Sequence, residues 1–492
     1  MRRLAASVAV ALVATASLTP LARPAAAQEA PVRLRVMTFN IWYGATVTHG
    51  LDEVVEAIRL ADADVVGMQE PYARLRRIAL ALGYHVSPRM HVISRYPILE
   101  PGNSDGDWAY LLLGDGRVAA IMNTHLPATP YTPYRIVNRG FDRDAILEQE
   151  RRTRLRRIDR ELAALAPLVA AGVPVFFTGD FNSPSHRDWT REAVEARGLP
   201  YPVRWPVSLA METAGFRDSY REAHPDPIAD PGFTWTPGYP APFVSPWDVH
   251  DRIDFVWAAG PAATIASAVV GESSANADLV VEPWPTDHRG VVSTFDVVPS
   301  PMPVLVASAE RSRLGNPLEV RFHASGEPGE HLVLRPAGSV LAGGDLPTEG
   351  TDGAVAFDTA GLAQGAYEVV LFDADGSELA RDVVVLVDAD QPTVLSVPDD
   401  TIEAGRAIEV TWRFAPGNRY DWVGIFPEGV SAKDGPIERW RYTDATIDGS
   451  TRIGGRSRGA GAWPLPPGAY EVRLCLDDSY RCRAAATFTV TG

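Results

Sequence analysis

The sequence changes character at residues 298–303, where Val-Pro-Ser-Pro-Met-Pro interrupts it. Before this segment, short apolar runs alternate with segments of helical periodicity, whereas after it β-branched runs are separated by Gly, Pro and Asp. Strands that alternate with helices predict a layered α/β domain, and strands without helices predict β-sandwiches. A chain of 492 residues is also too long for one ordinary core. We therefore expect an α/β domain over 28–299 and all-β structure beyond it.

The first half contains apolar runs that predict strands over 34–39, 64–69, 118–123, 174–178, 253–257 and 291–297. Helical periodicity predicts a helix over 52–60 and a long Arg- and Glu-rich helix over about 144–168. The arginine-rich stretch from Arg151 to Arg160 contains Asp159 and is flanked by Glu150 and Glu161, which indicates a solvated helix face rather than a groove for nucleic acid.

The second half contains a weak internal repeat. Gly365–Val369 reads Gly-Ala-Tyr-Glu-Val and recurs at Gly468–Val472, and Leu318–Val320 similarly matches Ile408–Val410. Repeats of this length predict two immunoglobulin-like sandwich modules, over 300–390 and 391–492. The segment Tyr420–Pro427 in the second module also resembles the SKICH-type sandwich sequence.

The N-terminus predicts export. Arg2 and Arg3 precede an apolar stretch, and Ala25-Ala26-Ala27 offers an A-x-A cleavage pattern, so residues 1–27 are predicted to be a signal peptide. No later segment is apolar enough to predict a transmembrane helix. The two cysteines, Cys475 and Cys482, flank a predicted hairpin turn, and a disulfide is favoured over free thiols in an exported protein.

Polar residues occur where the predicted apolar strands begin or end. They are Asn40, Glu70, His125, Asp180, Asn182, Asp254, Asp287 and His288. Since strand ends direct their terminal side chains toward one rim of a sheet, these groups can converge although they are distant in sequence. Carboxylates, amides and imidazoles without cysteine suit a hard cation such as Mg²⁺, with Mn²⁺ as the alternative. Such a site can hydrolyse phosphate esters with a metal ion and a histidine that accepts a proton from water.

These residues lie in motifs that resemble the signature of the endonuclease/exonuclease/phosphatase family. The motifs occur in the family's order: Thr38–Asn40, Gln69–Glu70, Asn123–Leu126, Gly179–Asn182, Arg252–Asp254 and Thr286–His288. Each residue taken alone is more often a turn, cap or solvated strand end, but those explanations do not account for the order. The resemblance implies a four-layer α/β sandwich, two packed β-sheets flanked by helices, and a metal-dependent phosphoric ester hydrolase.

The resemblance implies that Glu70 is the principal Mg²⁺ ligand, assisted by Asn40, with Asp287 in or beside the metal shell. His288 corresponds to the general base, and Asp254 to the carboxylate that orients it. Asp251, in the same motif, is the alternative partner of His288.

Three further residues complete the implied site. Asp180 corresponds to the group that positions water, and Asn182 to a phosphate ligand. His125 matches the second histidine of phosphodiesterase members, including pancreatic-type deoxyribonucleases and bacterial neutral sphingomyelinases. Glu100 is the only suggested carboxylate partner for His125.

The substrate stays open among a nucleic acid, a phospholipid and a small organophosphate. His125 favours a phosphodiesterase, and the alternatives are a phosphomonoesterase on a small or inositol phosphate and an inactive protein that binds a surface or ligand. We interpret the two β-modules as stalks or attachment domains for a cell surface or protein. The formal net charge of −16 argues against binding to DNA or anionic membranes by bulk charge.

Overall fold

The computed structural model describes residues 31–492 except 48–49, 105–106, 115, 310, 340–342, 389–391, 417–420, 432–438, 444–445, 456, 458–462 and 477–479. The predicted signal peptide, residues 1–27, lies outside the described residues. Within the described part of the chain, none of the helices combines the length and the apolar character that a membrane crossing requires.

The first half alternates strands and helices. Its strands are β1 (Val32–Asn40), β2 (Val65–Gln69), β3 (His85–Ser87), β4 (Val92–Ser94), β5 (Ile98–Leu99), β6 (Trp108–Gly114), β7 (Arg117–His125), β8 (Val175–Asp180), β9 (Arg217–Asp218), β10 (Asp254–Ala259), β11 (Ala262–Gly271), β12 (Leu279–Val280) and β13 (Gly290–Val297). Its helices are α1 (Trp42–Ala45), α2 (Leu51–Ala61), α3 (Leu75–Leu82), α4 (Thr132–Arg139), α5 (Arg143–Glu150), α6 (Arg156–Ala170), α7 (Arg191–Ala196), α8 (Pro206–Thr213) and α9 (Ser219–Ala223). Short 3₁₀ turns occupy Tyr72–Arg74 and Gly102–Ser104. Each strand and helix predicted for this half is present.

Two sheets form the centre of this half. The first has the order β12-β11-β13-β1-β2-β4-β3, and the second has the order β5-β6-β7-β8-β10-β9. Neighbours β1 and β2 run parallel, as do β7 and β8, whereas β10 runs antiparallel to β8. This topology brings the ends of β1, β2, β7 and β8 and the start of β10 to the rims from which polar side chains were expected to converge.

Apolar side chains bury both faces of each sheet. One cluster joins the facing sides of the two sheets, for example Val36 and Phe295 of the first with Ile121 and Phe176 of the second. A second cluster packs α2 and α3 onto the outer side of the first sheet. A third packs α6 and α8 onto the outer side of the second sheet. The strands β1, β2, β7 and β8 are buried on both faces, which explains their nearly continuous apolar sequence.

The long charged helix is not solvated throughout, because Glu150, Arg154 and Glu161 are buried. A π-turn over Arg151–Leu155 joins α5 to α6, and Arg154 on that turn is fully buried. Arg154 Nη1 donates to Glu150 Oε1 at 2.6 Å, so the pair is an internal ion pair. Regular spacing in the sequence could not predict this burial, because a π-turn departs from the helical repeat.

The second half consists of strands in the described residues. They are β14 (Ser300–Pro301), β15 (Leu305–Ser308), β16 (Arg311–Arg313), β17 (Leu318–His323), β18 (His331–Pro336), β19 (Gly344–Pro347), β20 (Asp352–Phe357), β21 (Gly365–Phe372), β22 (Glu378–Val387), β23 (Val394–Ser396), β24 (Thr401–Glu403), β25 (Ile408–Arg413), β26 (Trp422–Pro427), β27 (Arg439–Tyr442), β28 (Gly449–Ile453), β29 (Gly468–Cys475) and β30 (Cys482–Thr491). These strands form two pairs of sheets, each pair consisting of a three-stranded and a five-stranded sheet. The first pair has the orders β15-β17-β20 and β16-β22-β21-β18-β19, and the second pair has the orders β23-β25-β28 and β24-β30-β29-β26-β27. The same arrangement thus occurs twice, which is consistent with two β-sandwich modules.

Two details of this half bear on the sequence predictions. The Cys475–Cys482 disulfide is present and links β29 to β30, as predicted. The segment after residue 299 does not leave the first half at once, because Ser300 pairs with Val118 of β7. Leu305 and Ala307 of β15 are then buried in the cluster that covers the outer side of the second sheet.

Candidate active site

Strand register brings the candidate residues of each sheet together. Asn40 ends β1 opposite Gln69, so Glu70 follows at the next position of the neighbouring strand. In the second sheet, Asp180 at the end of β8 lies opposite both His125 and Asp254. His288 and Asp287 directly precede β13 in the first sheet. The site therefore draws on one end of both sheets.

Asp180 is the common partner of the groups from the two sheets. Its Oδ2 accepts a hydrogen bond from Asn40 Nδ2 at 3.0 Å. The same oxygen lies 3.5 Å from His125 Nε2 and 3.7 Å from His288 Nε2. Two imidazoles from different sheets thus approach one carboxylate oxygen.

Asp254 orients His288. His288 Nδ1 donates to Asp254 Oδ2 at 2.9 Å, which directs Nε2 toward Asp180 and Asn40. The alternative pairing of Asp251 with His288 is wrong. Asp251 instead accepts hydrogen bonds from Trp189 Nε1 and Arg197 Nη2, each at 2.9 Å.

A left-handed turn presents Glu70. Trp42, Tyr43 and Ala45 have φ values of 38°, 50° and 54°, and Gly44 has a φ of 67°. Tyr43 N donates to Glu70 Oε2 at 2.9 Å, and Gly44 N donates to the Glu70 carbonyl at 2.8 Å. The turn therefore binds the residue that was predicted to be the principal metal ligand.

The remaining predicted residues, Asn182 and Asp287, also lie at this rim. Asn182 N donates to Asp180 Oδ1 at 2.9 Å, while its Nδ2 donates to the Leu126 carbonyl at 3.1 Å. The carbonyl of Asp287 accepts from Thr236 Oγ1 at 3.0 Å, and its carboxylate is mostly buried. The suggested pairing of Glu100 with His125 is wrong. Glu100 lines a cavity with Ala307 and Arg321, whereas His125 lies beside Asp180.

Burial and mutual charge shift the pKa values of the site. Burial alone would lower the pKa of His288, but the surrounding carboxylates, led by Asp254, outweigh it and raise this pKa to about 10. Burial, reinforced by the charge of His288, lowers the pKa of His125 to about 3. Burial raises the pKa of Asp180 to about 7. The metal-free site at neutral pH therefore contains one charged and one neutral imidazole.

The donor set fits a hard divalent cation. Burial raises the pKa of Asp287 to about 6, with a further increase from Glu70, and burial also raises the pKa of Glu70. In the described part of the chain neither carboxylate has an arginine partner, so a cation would relieve their burial and repulsion. A second geometric possibility is the group of Asp180, Asp254 and His288, whose ligand atoms lie within 4.8 Å of one another.

A polar network beneath the rim joins the two sheets, and it was not anticipated from the sequence. Asn123 Oδ1 accepts from Gln69 Nε2 at 2.7 Å and from Thr178 Oγ1 at 3.0 Å. A Cβ at Gly67 would lie 2.0 Å from Thr178 Oγ1, so the network requires glycine there. The signal in the sequence is that these residues belong to the same motifs as Glu70, His125 and Asp180.

Arg252 and Thr234 support the site from behind. Arg252 is fully buried and donates to Asp188 and Asp218, with Nη2 2.6 Å from Asp218 Oδ2. Thr234 Oγ1 accepts from the backbone N of Ile253 and of Asp254 at 3.0 and 3.1 Å. Arg252 therefore anchors its motif, and Thr234 fixes the start of β10.

Comparison with known proteins agrees with this geometry. The family described as the Endonuclease/Exonuclease/phosphatase family matches residues 37–288, and the chain belongs to it. Members of this family are generally metal-dependent enzymes that hydrolyse phosphate esters. The uncharacterized protein F14F9.5 of Caenorhabditis elegans is 32% identical over 252 residues, covering 46% of this chain and 79% of that protein.

Solved structures show more distant similarity. An endonuclease/exonuclease/phosphatase from Beutenbergia cavernae is 20% identical, covers 72% of this chain and 100% of its own, and has a TM-score of 0.35. The human OSCAR ligand-binding domain is 14% identical, covers 38% of this chain and 97% of its own, and has a TM-score of 0.23.

Proposed function

We propose that this chain is an exported phosphodiesterase that uses Mg²⁺ or Mn²⁺ and activates water with His288. The observation that carries the proposal is the approach of His125 and His288, from different sheets, to Asp180 Oδ2. Export rests on the signal-peptide pattern of residues 1–27. The proposal includes a four-layer α/β domain over 28–299 and immunoglobulin-like modules over 300–390 and 391–492.

His288 and Asp254 supply the general base in this proposal. Asp254 accepts the Nδ1–H of His288, so Nε2 faces the interior. The neighbouring carboxylates keep His288 protonated in the metal-free site; a divalent cation bound to those carboxylates would lower this pKa and allow Nε2 to take a proton from water. Asp180 lies 3.7 Å from that nitrogen and positions the water. Asp254 also stabilises the imidazolium that forms when His288 accepts the proton.

Asn40, Glu70 and Asp287 are the proposed metal ligands. A divalent cation held by these residues would neutralise charge on the phosphate and stabilise the leaving oxyanion. Glu70 is held by Tyr43 N, and Tyr72 OH donates to the same oxygen at 3.4 Å. The side chain of Asn40 also hydrogen-bonds the Glu70 carboxylate, so two of the proposed ligands lie in direct contact.

His125 supports a diesterase rather than a monoesterase. Its lowered pKa keeps the imidazole neutral, so it can donate a hydrogen bond to a phosphoryl oxygen or to a leaving group without adding charge. Asn182, whose backbone N is fixed by Asp180, contributes a second contact to the phosphate.

The test compares a soluble diester with a monoester. The chain over 28–492 is incubated with bis-p-nitrophenyl phosphate or p-nitrophenyl phosphate in Mg²⁺, in Mn²⁺ and in EDTA. We expect faster release of p-nitrophenol from the diester, abolished by EDTA, and a loss of this preference in His125→Ala. Faster hydrolysis of the monoester by the unaltered chain would favour the phosphomonoesterase alternative.

A further inference from the structure

An uncharged segment lies directly beside the candidate active site. Residues 235–247, here called the aromatic loop, read Trp-Thr-Pro-Gly-Tyr-Pro-Ala-Pro-Phe-Val-Ser-Pro-Trp and contain no charged side chain. The backbone of Trp235 pairs with both Asp251 and His288. Thr236 Oγ1 donates to the carbonyl of Asp287. The loop therefore begins at the site and is fixed to it.

Two consecutive turns hold aromatic side chains in solvent. Phe243 N donates to the Pro240 carbonyl at 2.9 Å, and Tyr239 N donates to the Phe243 carbonyl at 3.0 Å. Asp248 N donates to the Ser245 carbonyl at 3.0 Å, which closes a turn around Trp247. Phe243 and Trp247 are 71% and 69% exposed. Backbone hydrogen bonds thus fix the segments that carry both rings, although neither ring is buried.

Aromatic contacts connect the loop with the interior of the site. Tyr239 packs edge-on against Trp42 at 5.4 Å between ring centroids, and against Trp235 at 5.9 Å. Tyr43, beside Trp42, stacks on Tyr72 at 5.6 Å. The tyrosines Tyr43 and Tyr239 are both exposed, so apolar surface continues from the mouth of the site to the loop.

Helix α4 extends the same surface on the other side. Asn138 Nδ2 donates to the Trp247 carbonyl at 3.0 Å, which fixes the helix beside the loop. Val137 and Phe141, neighbours of Asn138 along the chain, are exposed apolar side chains. A contiguous exposed apolar surface around a site indicates contact with another apolar phase or partner.

We propose that the aromatic loop docks this protein on a zwitterionic phospholipid surface. Exposed Trp, Tyr and Phe on fixed turns suit the boundary between headgroups and acyl chains, where amphipathic rings are favourable. The loop itself has no basic residue and the chain has a net charge of −16, although α4 ends with the exposed Arg139. We therefore assign the contact to the apolar rings rather than to attraction for anionic lipid. The inference rests on the proposed function and assigns phospholipids as its substrate class.

The test separates docking from catalysis. Full-length chain lacking the predicted signal peptide is sedimented with phosphatidylcholine vesicles and with phosphatidylglycerol vesicles. The variant is Phe243→Ser with Trp247→Ser, and the control is Leu80→Ser, which alters an 83% exposed leucine on α3. Hydrolysis of soluble bis-p-nitrophenyl phosphate is measured for each protein.

We expect phosphatidylcholine binding to fall by roughly tenfold or more in the double variant and to stay unchanged in Leu80→Ser. Hydrolysis of the soluble diester should change less than about twofold in both, because neither change touches the polar cluster. Equal vesicle binding by all proteins, binding only to phosphatidylglycerol, or a dimer that the double variant dissociates would overturn docking. If the unaltered chain does not hydrolyse the soluble diester, the proposed function itself is contradicted.

Discussion

Asp180 Oδ2, His288 and Asp254 show how far single residues could be identified from the sequence. Their types and their positions at strand ends predicted a shared rim, and the register of β8 with β7 and β10 brings them together. The convergence of His125 and His288 on one oxygen was not predictable, because it depends on how the two sheets pack. The same holds for the choice of Asp254 over Asp251.

At this scale, Asp287 predicts a pH dependence of stability. An unfolded aspartic acid loses its proton near about pH 4, whereas burial raises the pKa of Asp287 to about 6 in the folded chain. The folded state therefore binds more protons between these values, and this residue lowers the stability of metal-free protein as pH rises through them.

The variant Asp287→Asn lacks this titration. In EDTA, we expect the free energy of unfolding of Asp287→Asn, relative to that of the unaltered chain, to increase by on the order of 2 kcal/mol between about pH 4.5 and about pH 7.5. Thermal unfolding at both pH values measures the change. Mg²⁺ at neutral pH should raise the Tm of the unaltered chain more than that of Asp287→Asn. A constant difference between the two proteins across pH would show that Asp287 is not held in an unfavourable charged state.

Among the elements, the left-handed turn α1 and the π-turn carry information that local sequence patterns do not. Non-glycine residues rarely adopt positive φ, yet three do so in α1, because Glu70 accepts hydrogen bonds from the backbone of this turn. Arg154 is charged and lies in a helix rich in charge, yet Glu150 and two backbone carbonyls bind it internally. Both features depend on partners distant in sequence, which are Glu70 for the turn and the carbonyls of Ala128 and Pro130 for Arg154. The strands and amphipathic helices, in contrast, were predictable from periodicity.

Gly44 tests the role of α1, with Gly83 as its matched control. The two glycines have φ values of 67° and 72°, so alanine should cost each about 1 kcal/mol in conformational energy. A Cβ at Gly44 would also lie 3.0 Å from Arg74 Cγ, whereas a Cβ at Gly83 meets open space. We expect Gly44→Ala to weaken Mg²⁺ binding by calorimetry and Gly83→Ala to leave it unchanged. Equal Mg²⁺ affinity of the two variants would mean that the conformation of α1 does not contribute to metal binding.

Arg154 tests the π-turn, with Arg152 as its control. Arg154→Met leaves Glu150 buried without its cation, which should cost about 3–5 kcal/mol of unfolding free energy. Arg152 is exposed and, among the described residues, pairs with Glu148 at the surface, so Arg152→Met should cost less than about 1 kcal/mol. Urea unfolding measures both. Similar midpoints for the two variants would mean that the buried pair does not stabilise the fold.

The whole molecule is more continuous than its sequence suggested. The change at residues 298–303 correctly marked where helices end, but β14 pairs with β7, and Leu305 is buried against the α/β half. Sequence patterns could not predict this contact, because a proline-rich junction looks the same whether it is free or packed. The first β-module is thus attached through a buried strand.

Leu305→Ala should therefore destabilise the α/β half, at a cost of about 2–4 kcal/mol, because it creates a cavity in that core. Val304→Ala changes the exposed neighbour and should cost less than about 1 kcal/mol. The measurement is urea unfolding followed by tryptophan fluorescence. An unaltered transition in Leu305→Ala would indicate that the module is an independent stalk.

The most direct test of the account is the turnover of bis-p-nitrophenyl phosphate by His288→Ala in saturating Mg²⁺, beside the control His331→Ala in the first β-module. The account predicts a decrease of about 10²–10⁴-fold for His288→Ala, no change for His331→Ala, and no turnover by any of the proteins in EDTA. Turnover by His288→Ala that equals that of the unaltered chain, or that persists in EDTA, would contradict it.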